Sequence, residues 1–306
     1  MSDLYVIGAQ AINYYSKCGI TRTSNLTSFM SSDVPDVPYT HLLSAAQNPA
    51  GLVIMSTNSG GVVTTSDFIN YVSYDYQGKQ AQIQKITWNQ QFVAVGYLRD
   101  DQNNEQAYVW TTGNAFDEYS WQARYAVFDA YSAFTNVCTS TSNNLIAVGH
   151  ANQLQTSLFL VGTATSSWQL IQMPPNLQGG LWSVVSDGVR VWVGGTGWVA
   201  TALLSNLNTW TRTDLGMHKV ISSMSVCNGV VVAVAANSLF YSTNGFDYAS
   251  EQLPGRTLTQ THVYDDKVIV GSHSLLTESD LFVFDPADLS LKSVKSGVHA
   301  YAFVTV

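Results

Sequence analysis

Short apolar runs rich in β-branched residues recur along the chain, and polar, turn-forming segments separate them. Seven of these runs end on or near a small residue, and they begin at Tyr5, Leu52, Phe92, Leu145, Val191, Val231 and Val268. The steps between their equivalent positions range from 36 to 53 residues, around an average of about 44 for 306 residues. Runs this short are typical of buried strands, and a repeat of this length has room for four of them.

A further strand-like run precedes each apolar run except the first, YVIGA, where the chain begins. The segment VHAYAFVTV, Val298–Val306, follows the seventh repeat and has no successor. Pairing this tail with the head completes one blade and removes two sheet edges. The sequence therefore predicts an all-β fold, a seven-bladed β-propeller of four-stranded antiparallel blades. We expect one domain over residues 1–306, in which residues 298–306 close a blade with residues 4–32.

A turn signal follows each run: a hydroxyl residue or Gly, then Asn or Asp, then a large apolar residue. Hydroxyl and Asx side chains accept hydrogen bonds from nearby backbone N–H groups, and Gly accepts a positive φ. An aromatic residue at the end of such a turn can fill the space between neighbouring sheets. We therefore expect Trp121, Trp168 and Trp210, each at the end of such a turn, to be buried between blades.

The turn YSTNGFDY, Tyr241–Tyr248, resembles the Asp-box or BNR repeat of the sialidase-like β-propellers, Ser-x-Asp-x-Gly-x-x-Trp, and weaker versions occur in the other six repeats. The resemblance implies that these turns are structural and lie opposite the binding face. A sialidase of that family would need three arginines around a carboxylate, a Tyr supported by a Glu, and an Asp acid/base. This chain has six Arg and four Glu and lacks the family's Arg-Ile-Pro motif. We therefore expect that the chain is not an enzyme and has no catalytic residues.

Composition narrows the range of partners. Charged residues make up 11% of the chain and the net charge is -8, so no broad basic surface is available for nucleic acid. No apolar run reaches the length of a membrane span, and the N-terminus lacks the basic start of a secretory signal. We expect synthesis in the cytoplasm without membrane insertion. The histidines and the three cysteines show no metal-ligand spacing, so no metal or cofactor is predicted.

The connections that follow the apolar runs lie, in a propeller, on the face opposite the Asp-box-like turns. They are uneven in length and carry polar and aromatic side chains, as binding loops do. The candidate binding residues in these connections are Tyr14, Tyr15, Tyr97, Arg99, Asp100, His150, Trp198 and His273.

A surface rich in Ser, Thr, Asn, Gln and Tyr suits contacts with neighbouring proteins or with sugars. We expect a non-catalytic structural or attachment module of a larger assembly, most specifically a bacteriophage virion protein of the tail or receptor-binding apparatus. Its partners would be other virion proteins, with a cell-surface glycan as a further ligand. Two alternatives stay open: a monomeric carbohydrate-binding lectin, and a glycoside hydrolase of sialidase-like fold. The post-strand loops share neither length nor residue types, which disfavours a set of equivalent sugar pockets.

Overall fold

The computed structural model describes residues 2–12, 15–34, 42–75, 80–113, 118–129, 131–141, 143–273 and 279–306; for residues 9–12, 15–18, 118, 273 and 299 the description is of the backbone. Within these ranges, 28 strands form seven four-stranded antiparallel sheets arranged in a ring. The described helical segments are two short 3-10 turns, Glu118–Ser120 and Pro175–Leu177. The predicted all-β, seven-bladed propeller is confirmed.

Each blade is a meander of four strands that follow one another from the axis outwards. Blade 1 is β28 (His299–Thr305), β1 (Leu4–Ile12), β2 (Tyr15–Thr23) and β3 (Met30–Asp33); blade 2 is β4 (Leu42–Gln47), β5 (Val53–Thr57), β6 (Gly61–Thr65) and β7 (Val72–Asp75); blade 3 is β8 (Ala81–Asn89), β9 (Gln91–Arg99), β10 (Glu105–Thr112) and β11 (Gln122–Val127); blade 4 is β12 (Ala133–Thr139), β13 (Leu145–Ala151), β14 (Thr156–Gly162) and β15 (Gln169–Leu170). Blade 5 is β16 (Ser183–Ser186), β17 (Arg190–Gly194), β18 (Trp198–Leu203) and β19 (Asn206–Asp214); blade 6 is β20 (Ser223–Cys227), β21 (Val230–Ala235), β22 (Ser238–Ser242) and β23 (Ala249–Gln252); blade 7 is β24 (Thr257–Tyr264), β25 (Lys267–His273), β26 (Asp280–Asp285) and β27 (Ser290–Ser296).

The two chain termini close the ring. Strand β28 pairs antiparallel with β1, from Leu4 opposite Thr305 to Ala9 opposite His299. Beyond these strands, the N–H and C=O groups of Asp3 and Val306 exchange two hydrogen bonds of 2.8 Å. The innermost strand of blade 1 therefore comes from the C-terminus, as the sequence predicted.

The core lies between adjacent blades, so the second strand of a blade is buried on both faces. All six residues of β21, Val230–Ala235, are buried. This explains why the sequence shows continuous apolar runs where a half-exposed strand would alternate. One core cluster, for example, joins Val95 of blade 3 to Phe134 and Leu160 of blade 4.

The predicted burial of the turn-closing tryptophans holds for two of the three. Trp121 and Trp168 are 7% and 6% exposed. Trp210 is only partly buried: its Nε1–H donates to the carbonyl of Leu207 at 2.7 Å, and its ring meets Phe159 edge-on at 5.4 Å. It lies on β19, the outermost strand of blade 5, where a side chain is less enclosed by neighbouring blades.

Side-chain hydroxyls on the inner strands join neighbouring blades around the axis. Most inner strands contain a β-bulge, and a bulged residue can reach the next blade. The hydroxyl of Thr135, at the bulge of β12, donates to the carbonyl of Leu181 at 2.6 Å. Thr259, at the bulge of β24, donates to the carbonyl of Ala300 at the same distance. These bonds link blade 4 to blade 5 and blade 7 to blade 1.

Candidate functional site

The ring has two faces with different connections. We call the lower face the end at which the third strand of each blade turns into the fourth, which is where the Asp-box-like turns lie. The upper face is the opposite end, where the second strand turns into the third and where the chain passes from one blade to the next. Because strands of a meander alternate in direction, the two sets of connections lie at opposite ends.

Lower-face turns of blades 1, 2 and 6 share one hydrogen-bond pattern. In blade 2 the Thr65 hydroxyl accepts from the N–H of Phe68 at 2.9 Å, and Asp67 Oδ1 accepts from the N–H groups of Ile69 and Asn70 at 2.9 and 2.8 Å. The backbone bonds from Asn70 and then Ile69 are the largest causes that lower the pKa of Asp67 to about 2.

Two other turns repeat this pattern, with Thr23 and Asn25 in blade 1 and Ser242 and Asn244 in blade 6. The residue after the Asx has a positive φ in all three turns: 58° at Leu26, 56° at Phe68 and 79° at Gly245. These side chains are used to hold the turns, so the lower-face motif is structural.

On the upper face, six side chains from blades 3, 4 and 5 form what we call the upper-face cluster: Tyr97, Arg99, Glu105, Tyr131, His150 and Trp182. The register of β9 and β10 places Arg99 directly opposite Glu105, and their side chains form a 3.1 Å ion pair. The Arg99 guanidinium also lies 5.3 Å from the centre of the Tyr97 ring and donates to the Tyr97 hydroxyl at 3.2 Å. The Tyr97 hydroxyl in turn donates to Gln82 at 3.0 Å. These contacts hold an arginine and an aromatic ring in fixed positions at the rim.

His150 and Trp182 form the part of the cluster between blades 4 and 5. Their rings are 5.4 Å apart, and neither His150 Nδ1 nor Trp182 Nε1 has a hydrogen-bond partner among the described residues. Burial lowers the pKa of His150, although the charge of Glu105 and a bond to the Tyr131 backbone act in the opposite direction. Two ring nitrogens of the cluster are thus buried without a hydrogen-bond partner of normal geometry among the described residues, as are the indole nitrogens of the core residues Trp168 and Trp192.

Tyr131 presents its ring to solvent from the connection between blades 3 and 4. Its φ is 58°, in the left-handed region that bulky residues rarely adopt, and it is 46% exposed. The next residue, Ser132, fixes this conformation: its N–H donates to the Glu105 carbonyl at 2.9 Å, and its hydroxyl accepts from the N–H of Ala107 at 2.9 Å. Phe128, in the same connection, is 71% exposed.

The structure brings three of the sequence-predicted residues together in this cluster, Tyr97, Arg99 and His150, and Asp100 directly follows Arg99 at the end of β9. Asp100 has a local role, because its Oδ1 accepts from the N–H groups of Gln102 and Asn104 at 2.9 and 2.8 Å and closes the β9–β10 hairpin. The bond from Asn104 is the main reason that the pKa of Asp100 is lowered.

Of the other four predicted residues, the structure describes the side chain of Trp198, which does not join this cluster. Trp198 is only 4% exposed and lies flat on Gly195, where an added Cβ would come within 2.1 Å of the indole. This tryptophan therefore packs in the core and presents no surface to a ligand. Tyr15 and His273 lie in β2 and β25, where the description is of the backbone, and Tyr14 lies outside the described residues.

Sequence reasoning missed Tyr131, Phe128 and Trp182. Aromatic residues in a polar connection, as in FDAYS, Phe128–Ser132, were the available signal.

A cavity of about 240 Å³ opens elsewhere, beside the outer strands of blade 5. Its lining includes Arg190, Thr201, Asn206 and Phe246, and Arg190 lies 5.2 Å from the centre of the Phe246 ring. Thr201 already donates to the Val191 carbonyl and Asn206 to Thr209. Most of its polar groups are therefore engaged within the protein.

Neither a metal centre nor a membrane-spanning helix is found in the described part of the chain. Among the described residues, no group of three or more His, Cys, Asp or Glu side chains is placed to hold a metal ion. No helix within the same ranges has the length and apolar character to cross a membrane.

Comparison with known proteins bears on the fold. No protein-family model and no curated protein matches the chain. Among solved structures, a protein from Lactobacillus plantarum is 10% identical with a TM-score of 0.71, and the match covers 100% of both chains. The periplasmic gluconolactonase of Pseudomonas aeruginosa is 11% identical with a TM-score of 0.69 over 99% of both chains. YCF48 bound to the D1 peptide is 11% identical with a TM-score of 0.63, covering 88% of this chain and 89% of that one. The chain thus has the seven-bladed propeller fold, which these structures share at identities that show the fold alone.

The expectation that the chain is not an enzyme is corrected by this comparison. The gluconolactonase is an enzyme on the same ring of blades over nearly its whole length. The absent arginine clamp excludes only the sialidase mechanism, while propeller sites are assembled from loops that can carry other chemistry. The fold therefore gives no ground for excluding an enzyme.

Proposed function

We propose that this chain is a protein-binding propeller, and that its upper-face cluster receives a segment of a partner protein within a larger assembly. The observation that carries the proposal is the exposed Tyr131 ring on a backbone that Ser132 holds, in the connection that bonds to His150. Tyrosine, tryptophan and arginine contribute most of the binding energy in protein interfaces. Rings that are already fixed lose little conformational entropy when a partner binds.

Two further observations support a protein partner. One structurally similar propeller, YCF48, was solved with a peptide bound to it. The cluster also combines an arginine with several aromatic rings, and aromatic residues and arginine are enriched in protein interfaces.

More specifically, we propose that the assembly is a bacteriophage virion and that the chain belongs to its tail or receptor-binding apparatus. The lower-face turns would then be Asp-box repeats that have lost most of their consensus residues. The low share of charged residues, 11%, and the predominance of Ser, Thr, Asn and Gln support a chain whose surface is largely covered by neighbours of the same assembly.

Photo-cross-linking from two tyrosines on opposite faces tests the binding face. A benzophenone amino acid is placed at Tyr131 or, as the matched control, at Tyr119, which is 86% exposed in the lower-face connection of blade 3. Each variant is expressed in the native source, irradiated and analysed by mass spectrometry. We expect a defined protein adduct from position 131 that Arg99→Ala weakens. Adducts from position 119 alone, or from both positions equally, would contradict the proposed face.

Separation of particles tests the assembly. We expect the chain to sediment with virions in a density gradient of the native source. A chain found only as free monomer that binds glycan arrays would support the lectin instead.

A further inference from the structure

The seven inner strands line the central channel, and their charge is unusual for this protein. In β4, β8, β12, β16, β20, β24 and β28, whose backbones are described throughout, Lys85 is the only Lys or Arg and there is no Asp or Glu. The chain as a whole has 13 Lys and Arg against 21 Asp and Glu, with a net charge of -8. The inner strands of this acidic protein thus contain one Lys and no Asp or Glu.

Lys85 faces the channel because of its place in β8. Ile86 points into the core between blades 2 and 3, and successive side chains of a strand point to opposite faces. Within the described ranges, the ammonium has neither an ion pair nor a hydrogen bond. Desolvation is the cause that lowers the pKa of Lys85, and no carboxylate of the described chain counters it.

His262 of blade 7 faces the same channel. Its ring stacks on Phe303 with centres 5.6 Å apart, and its Nε2 lies 2.8 Å from the hydroxyl of Thr305. Burial and then the charge of Lys85 lower the pKa of His262 to about 4. Blades 3 and 7 are not neighbours in the ring, so Lys85 and His262 influence each other across the channel.

The side-chain amide of Gln260 lies at the same level along the channel as Lys85. Lys85 and Gln260 each follow directly the bulge of their inner strand, so they occupy equivalent positions in the ring. The side-chain amide oxygen of Gln260, Oε1, accepts a hydrogen bond from the Ser223 hydroxyl at 3.3 Å. This bond orients the amide and leaves its NH₂ group available as a donor.

We propose that the central channel is an anion-binding site in which the Lys85 ammonium binds a carboxylate, with the Gln260 amide as a further donor and His262 alongside. The Lys85 side chain is partly buried and has no counter-charge among the described residues, so a bound carboxylate would balance its charge with charge-assisted hydrogen bonds. The donors come from opposite sides of the channel, so they can converge on one small group. The carboxylate can belong to a free small acid or to an acidic side chain inserted from the channel mouth.

Binding of blocked amino acids to the purified full-length chain tests the site. Acetyl-glutamate amide carries one side-chain carboxylate, acetyl-glutamine amide is its neutral match, and inorganic phosphate represents other anions. Each is titrated at constant ionic strength and followed by calorimetry and by the NMR signals of His262. We expect saturable binding of the glutamate compound in the millimolar range, about −4 kcal/mol at 1 mM, and none of the glutamine compound.

Three variants assign the binding to Lys85. Lys85→Met should weaken binding at least tenfold, while Lys85→Arg, which keeps the charge, should retain most of it. Lys292→Met removes the same charge from an exposed position on the outermost strand of blade 7 and should leave binding unchanged. Circular dichroism establishes that each variant is folded.

Several results would overturn the proposal. Failure of the wild-type chain to show saturation with the glutamate compound would do so without any variant. Equal binding by wild type and Lys85→Met, or equal loss in Lys292→Met, would remove Lys85 from the site. Phosphate bound while the glutamate compound is not would refute the carboxylate assignment.

Discussion

Gly162 and Trp168 offer a direct test of how the blades pack. Gly162 is the last residue of β14, and a Cβ built there would lie 2.5 to 2.9 Å from three atoms of the Trp168 ring, far inside ordinary contact distance. The φ of Gly162 is not positive, so alanine suits the backbone and the change tests side-chain packing alone. Gly162→Ala therefore forces the buried indole to move.

The expected free-energy changes follow from this geometry. Overpacking of a well-filled core costs about 1–3 kcal/mol, so Gly162→Ala should lower the free energy of unfolding by that amount. Trp168→Ala should cost about 3–5 kcal/mol, because it empties a large buried site. The double variant should be less destabilised than the sum by about 1–3 kcal/mol, since removing the indole also removes the clash.

The assay is equilibrium unfolding in urea followed by far-UV circular dichroism, which does not depend on the tryptophan removed. Gly113→Ala is the matched control, because its added Cβ would meet no atom of the described residues within 4 Å and its φ is not positive. It should change stability by less than about 0.5 kcal/mol. If Gly162→Ala matches this control, or if the double variant is strictly additive, the indole does not rest on Gly162 and the packing argument fails.

Three further predictions concern the turns, the ring closure and the channel. Asp67→Asn should lower the melting temperature less than Asp67→Ala, since Asn25 and Asn244 accept the same turn bonds in blades 1 and 6. Because the pKa of Asp67 is lowered from 3.8 to about 2, the stabilising effect of its carboxylate is present above about pH 4 and disappears as pH falls through 2. Asp67→Asn should lose that acid dependence. An unchanged pH profile of stability in this variant would contradict the role of the Asp67 carboxylate in the turn. Deleting Val298–Val306 removes β28 and should yield aggregates in size-exclusion chromatography, whereas a soluble monomer with the wild-type spectrum would show that the ring does not need this strand. Lys85→Met should raise the melting temperature at neutral pH, and a decrease would indicate that the ammonium has a partner in the folded chain.

The fold could be predicted because each blade repeats the same local chemistry. The second strands are buried on both faces, so their apolar runs are continuous and stand out at a regular period. The closure was predictable because YVIGA lacked a preceding strand and VHAYAFVTV lacked a following one. The bulges of the inner strands left no comparable signal, since the bulged positions include Leu43, Gln84 and Thr135, which share no residue type.

The candidate site could be predicted only in part, because exposure of a loop residue depends on what packs beside it. Arg99 and His150 were identified from their position at the ends of second strands. Trp198 occupies a similar position in sequence, yet Gly195 has no side chain and allows the indole to fold down onto the backbone. Tyr131 is exposed because Ser132 bonds to blade 3 and fixes a left-handed conformation, which a linear pattern does not reveal.

Lys85 differs from the five cations for which the described structure shows an ion pair, and this difference separates the two proposed sites. Arg22, Arg99, Arg212, Arg256 and Lys267 each form an ion pair with a nearby carboxylate. In a chain where acids outnumber bases, the isolation of Lys85 within the described structure does not follow from a shortage of acids; it follows from the absence of Asp and Glu in the inner strands. Arg99 is neutralised by Glu105 and can offer a partner its planar face and aromatic neighbours, whereas Lys85 keeps a charge that a ligand can balance. The upper-face cluster and the channel therefore recognise different chemistry, and loss of binding at one should leave the other intact.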